Sequence, residues 1–190
     1  MKLLAVLVAT AALAGFCSAA DQYESVRKAP ELTFNIPGQG QKTLNEYLGK
    51  VVALEFIWTT CPHCQAASRV MSRFQEEYGS RGFQALDVAV NPNADLLVEN
   101  FAKDYQVKFP VGWVPQDAMV KFMGFNSDRY VVPQLALIDR KGYIHYQTSQ
   151  KEDEKWDALM KEDTIRAHIE HLLGNGSSSK GLSASAKRGH

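Results

Sequence analysis

Apolar residues come in blocks along this chain, and the spacing within each block predicts its element. Residues 32–36 alternate apolar and polar, as a short half-buried strand does. Residues 51–58 are almost unbroken Val, Leu, Phe, Ile and Trp, the pattern of a central strand covered on both faces. Residues 62–78 then switch to helical spacing, with Ala67, Val70, Met71, Phe74 and Tyr78 on one face and Pro62 in the first turn, where its missing N–H costs nothing.

A second strand is expected over 83–90, followed by the Asn91-Pro92-Asn93 loop and a helix over 94–105 carrying Leu97, Phe101 and Tyr105. Residues 109–114 read as extended and 116–123 as a short helix. Strands over 135–138 and 143–146 are joined by the hairpin signal Asp139-Arg140-Lys141-Gly142. One last amphipathic helix is expected over 152–173, with Trp156, Met160, Ile165, Ile169, Leu172 and Leu173 as its core contacts. The polar stretch 21–31 carries no element signal. Pro37-Gly38-Gln39-Gly40 marks a turn, and residues 43–48 one helical turn closed by Gly49. The order predicts an α/β fold, a mixed β-sheet flanked by helices on both faces.

Both ends depart from this pattern. Lys2 followed by an apolar run over 3–16 and the small residues Ser18-Ala19-Ala20 reads as a secretory signal peptide over 1–20, cleaved after Ala20. The run is too short to span a bilayer easily; retention as an anchor is the competing expectation. From 175 to 190 the chain is mostly Gly, Ser, Ala and Lys, a composition that cannot bury a core, so a disordered tail is expected there. One domain is left, over 21–174. The chain has 190 residues, 45% of them hydrophobic, with 21 basic and 21 acidic side chains in balance. No basic stripe is visible, which argues against a nucleic-acid partner.

The signal reading changes the cysteine count. Cys17 leaves with residues 1–20, and the mature chain keeps only Cys61 and Cys64. A bridge across a two-residue gap removes little unfolded-state entropy, so the pair is a poor staple and points to chemistry. A CxxC at a strand-to-helix junction puts Cys61 at the helix N-terminus, where free N–H groups and the dipole favour an anionic sulfur, the attacking species in disulfide exchange. Cys64 follows one turn later, placed to resolve a mixed disulfide. His63 between them would further favour the Cys61 thiolate when protonated. Glu55 lies six residues before Cys61, inside the apolar strand. A carboxyl buried there holds its proton and can exchange it with Cys64.

The segment LEFIWTTCPHC, residues 54–64, resembles the active site of DsbA-type oxidoreductases, and the chain is identified as a member of the thioredoxin superfamily on it. The frame from KVVALEF through ALDVAVN to VVPQLALIDRKGYI is more similar to the TlpA/ResA-like redoxins exported to the periplasm. The resemblance spans residues 32–173 and implies a thioredoxin-like fold and a redox-active Cys61–Cys64 disulfide. It also implies a cis-proline at Pro133, with Val132 offering its backbone to an incoming peptide. The implied partners are protein thiols and disulfides together with a membrane electron-transfer protein; no cofactor or metal is implied. The chain departs from the family in three places. Ile57 stands where an aromatic is common, Thr59-Thr60 precedes Cys61 where a bulky residue is usual, and no segment is long enough for the helical insertion of DsbA proteins.

Two other chemistries can be compared with this one. A copper chaperone on a redoxin frame would use Cys61, Cys64 and a distant His, with His145 and His168 as the candidates, but such proteins space their cysteines by three residues. A peroxidase needs a Pro-xxx-Thr-xx-Cys context, which residues 57–61 do not supply. The leading expectation is an exported thiol-disulfide oxidoreductase whose direction the sequence leaves open.

Overall fold

The computed structural model describes residues 24–174. The expected signal peptide with Cys17 and the expected tail over 175–190 lie outside the described residues. Among the described residues eight strands form one sheet: β1 (Glu24–Lys28), β2 (Thr33–Ile36), β3 (Gly40–Thr43), β4 (Val51–Ile57), β5 (Phe83–Ala89), β6 (Val111–Trp113), β7 (Gln134–Ile138) and β8 (Tyr143–Gln147). Their spatial order is β1-β8-β7-β4-β5-β6-β2-β3. The β4–β5 and β5–β6 pairs are parallel and the others antiparallel, so the sheet is mixed as expected. Among the described residues five α-helices pack against it: α1 (Pro62–Tyr78), α2 (Ala94–Asp104), α3 (Gln116–Met123), α4 (Glu154–Leu159) and α5 (Glu162–Leu172).

Strand β4 lies between β5 and β7, and every one of its residues is buried. Its pleat sends Val52, Leu54 and Phe56 into one layer with Met119 and Phe122 of α3. Val51 and Ala53 point the other way, into a layer with Met71, Phe74 and Tyr78 of α1 and Ile165 and Ile169 of α5. A third apolar group, with Ile57, Ala89, Val98, Phe101 and Cys64, covers the end of that second face where α1 begins.

Five expectations are corrected. Two strands lie in polar sequence: β1 within the expected lead-in, paired with β8, and β3 from the expected turn onward, paired with β2. Both sit at sheet edges, where a strand needs no apolar signature. The single last helix is two. Asp153 caps α4 through Oδ1, which accepts from the Lys155 and Trp156 N–H groups, and the chain is extended at Lys161 before Glu162 and Asp163 open α5. The buried stripe of α1 runs through Cys64, Ser68, Met71, Ser72, Phe74 and Tyr78, leaving Ala67 and Val70 half-buried. On α2 the buried residues are Ala94, Val98 and Phe101 rather than Leu97 and Tyr105. At the β6–β2 junction, a side chain on Gly112 would meet the Asn35 carbonyl at 2.7 Å, so glycine is what lets the strands close there.

Candidate active site

The site forms where β4 ends. The chain leaves the sheet at Ile57, turns through Trp58, Thr59 and Thr60, and enters α1 with Cys61 as N-cap and Pro62 in the first turn. The turn is held from two sides. Asn91, at the end of β5, accepts from the Thr59 N–H at 2.9 Å, and Gln65 of α1 donates to the Thr59 carbonyl at 3.2 Å. Thr59 is buried while Trp58 and Thr60 are exposed, so the bulky side chain of this loop points outward.

The two sulfurs occupy different surroundings. Cys61 is partly exposed, and its Sγ lies 3.9 Å from the carbonyl of Val132. Cys64 is fully buried, its Sγ accepting from the Trp58 N–H at 3.4 Å. Burial drives the Cys64 thiol well above its ordinary value, and the neighbouring Cys61 and Glu55 add to the rise against the pull of the Trp58 N–H. The Val132–Pro133 bond is cis, and the Val132 carbonyl lies against Cys61. Pro133 is buried, and its carbonyl accepts from Trp156 Nε1 at 3.1 Å. His63 is exposed and opens onto a cleft of about 330 Å³ whose walls include Val70, Pro133, Trp156 and Met160.

Glu55 is 0% exposed, which excludes an edge-strand carboxylate reaching water. Among the described residues no donor reaches either of its oxygens. Across the parallel pairing it stands in register with Asp87, itself 1% exposed, and Asp87 Oδ1 also lacks a donor. A proton on Glu55 turns these facing acceptors into a hydrogen bond. Burial first, then the charge of Asp87, then that bond hold the Glu55 carboxyl well above the usual range. Burial also pushes Asp87 up, to about 7, against the pull of its bonds to Ser68 and Glu55. Ser68, one turn after Cys64 on α1, reaches Asp87 Oδ2 at 2.5 Å and the Cys64 carbonyl at 3.0 Å.

The structure therefore gathers Cys61, Cys64, Glu55, Val132 and Pro133 at one end of the sheet, with His63 at their rim. It does not bring the copper candidates to them. His145 pairs with Asp139 at 3.0 Å, at the far end of β7 from Pro133, and a five-residue strand is about 17 Å long. His168 stacks on Tyr146 at 3.6 Å between ring centroids, on the α5 layer. Among the described residues no group of three or more His, Cys, Asp or Glu is arranged to hold a metal ion. Asp87, Ser68 and Asn91 were missed by sequence reasoning. The signal for Asp87 was present: FQALDVAV sets an acid in an apolar strand just as VVALEFI does.

A strand–CxxC–helix unit facing a cis-proline, on a mixed sheet with helices on both faces, defines a thioredoxin-like dithiol protein. The chain belongs to the redoxin family, whose match runs over residues 24–166. It is similar to the thiol-disulfide oxidoreductase ResA of Bacillus cereus, 26% identical over 130 residues, covering 68% of this chain and 72% of that one. ResA of Geobacillus thermodenitrificans is 28% identical over 144 residues, covering 76% and 75%. Among solved structures, a thiol:disulfide interchange protein of the thioredoxin family from Chlorobium tepidum TLS superposes with a TM-score of 0.63 at 20% identity, covering 79% of this chain and 98% of that one. At that identity the last likeness shows the fold alone.

Proposed function

We propose that this chain is an exported thiol-disulfide oxidoreductase acting on protein substrates. The observation that carries the reading is the asymmetry of the pair: a reachable Cys61 at the start of α1 beside cis-Pro133, and a buried Cys64 one turn behind it. Cys61 attacks a substrate disulfide, forming one S–S bond to itself and releasing one substrate thiol. Cys64 then attacks Cys61, forming the intramolecular disulfide and releasing the second thiol. Glu55 exchanges the Cys64 proton, since a thiol in this dry position needs a partner to ionise. A substrate segment lies as a short added strand along Val132, whose N–H has no partner among the described residues, with side chains reaching the cleft beside His63. His63, exposed and between the two cysteines in sequence, tunes the potential of the couple.

The names of the ResA relatives support disulfide chemistry, and the 1–20 pattern supports export to the periplasm, where a membrane electron-transfer partner would recharge the pair. Turnover of insulin disulfides with dithiothreitol tests the reading. Activity lost in Cys61→Ser supports it, and wild-type protein without activity contradicts it. The potential of the couple then assigns direction: about −270 mV marks a reductant and about −120 mV an oxidant.

A further inference from the structure

Glu55 presents a chemical difficulty. Its site keeps it protonated, and a carboxylic acid that already holds its proton cannot accept another from Cys64. It acts as a base only by giving its own proton away in the same event, and that requires an acceptor. One stands directly across the β4–β5 pairing. Three buried carboxyl oxygens, Glu55 Oε1, Glu55 Oε2 and Asp87 Oδ1, have no donor among the described residues, and one proton held between the two acids satisfies two of them. The fourth oxygen, Asp87 Oδ2, is held by Ser68.

Resting on the disulfide-exchange reading above, we propose that Asp87 completes the proton path: as Cys64 passes its proton to Glu55, Glu55 passes its own to Asp87. During resolution the Cys64 S–H bond breaks and its electron pair forms the Cys64–Cys61 bond. The Cys61–substrate S–S bond breaks, and the substrate sulfur leaves as a thiolate that takes a proton from water. The Cys64 proton enters the acid pair, which goes from one proton to two. The substrate gains the two electrons that the cysteine pair loses. Run backwards, the same path returns the proton to Cys64.

Ser68 gives the path a second state. Its hydroxyl has one hydrogen and two acceptors in reach, Asp87 Oδ2 at 2.5 Å and the Cys64 carbonyl at 3.0 Å. It donates to Asp87 while that group is charged and turns to the Cys64 carbonyl once Asp87 is protonated. The groups facing the pair are the Cys64 thiol and the Ser68 hydroxyl from α1, Leu135 from β7 and Val111 from β6. Among the described residues no cation contributes to the surroundings of either carboxyl. Asp87 is thus a positioning residue for the proton, acting through Glu55.

The test separates the two thiol steps with an aryl disulfide, 5,5′-dithiobis(2-nitrobenzoate), in stopped flow. Cys61 attack releases the first coloured thiolate and Cys64 resolution the second, whatever the natural substrate. Asp87→Asn is expected to leave the first phase within about twofold and to slow the second about 100-fold. It should also abolish the rise of the second phase with pH. Glu55→Gln is expected to slow the second phase similarly, and the double variant no further. Ser68→Ala removes the bond that favours the charged Asp87, and should move the pH midpoint of the second phase upward with the first unchanged. A second phase in Asp87→Asn that keeps its wild-type rate and pH profile overturns the proposal. So does equal slowing of both phases, or an unmoved midpoint in Ser68→Ala. Failure of insulin turnover would overturn the substrate reading while leaving these phases to be read on their own.

Discussion

On the α3 side of β4 and β5, Leu54, Phe56, Leu86 and Val88 meet Met119 and Phe122 in an apolar layer, with the Phe56 and Phe122 rings edge-on at 5.5 Å. On the α1 side, one residue along each strand, Glu55 and Asp87 meet Cys64 and Ser68. Both sides are equally dry. The pleat alone separates them, and a shift of one position would exchange an acid pair for an aliphatic one. Polarity on this face sits at two facing register positions rather than being scattered through the layer. The acids divide the α1-side packing into the Val51 and Ile57 groups, at a cost in stability that the α3 side does not bear.

The largest effect is expected from breaking the apolar side. Phe56→Ala should lower unfolding free energy by about 3–5 kcal/mol, read from urea midpoints at constant slope, while the thiol steps per folded molecule stay unchanged. An altered second thiol phase in that variant would show that the two sides are not independent.

Next comes the acid side, read through pH. Asp87 has its folded value raised from 3.8 to about 7, and Glu55 is raised as well. Protonated carboxyls are therefore favoured by the fold. For Asp87 the stability this contributes is complete below pH 3.8 and is lost as pH rises through about 7, and Glu55 contributes a change of the same sign. Wild-type protein should accordingly lose on the order of 2–4 kcal/mol from Asp87 between acid and alkaline conditions. Glu55→Gln combined with Asp87→Asn should flatten that slope and be the more stable protein at pH 9. A wild-type stability that instead increases with pH across this window would contradict the burial of two acids.

The smallest effect concerns the loop joining the sides to the thiols. Asn91→Ala leaves the buried Thr59 N–H without its acceptor and should cost about 1–3 kcal/mol. It should also loosen the positions of both sulfurs, seen as faster alkylation of Cys64. Unchanged alkylation would mean that Gln65 alone holds the turn.

How much of this was legible follows from where each signal comes from. Strand β4, both ends of α1 and the β7–β8 hairpin carry strong local patterns, and all were read from residues alone. The cis bond at Pro133 came from the resemblance instead, since an X-Pro dipeptide does not declare its isomer. Strands β1 and β3 are polar edges whose pairing is decided by partners far along the chain. The break between α4 and α5 is a backbone event at Met160 and Lys161, which no apolar period announces. Glu55 was legible because an acid interrupts an apolar run before a CxxC. Asp87 interrupts an equally apolar run, but its meaning depends on the β4–β5 register, which is tertiary information. Ser68 and Ser72 lie on the buried stripe of α1, where an apolar template overlooks small polar residues.

The most direct test of the central asymmetry is to trap the mixed disulfide with a protein substrate and weigh it. Cys64→Ser should accumulate a one-to-one adduct bonded through Cys61, while Cys61→Ser should accumulate none. An adduct on Cys64 in the second variant, at a yield matching the first, would contradict the account.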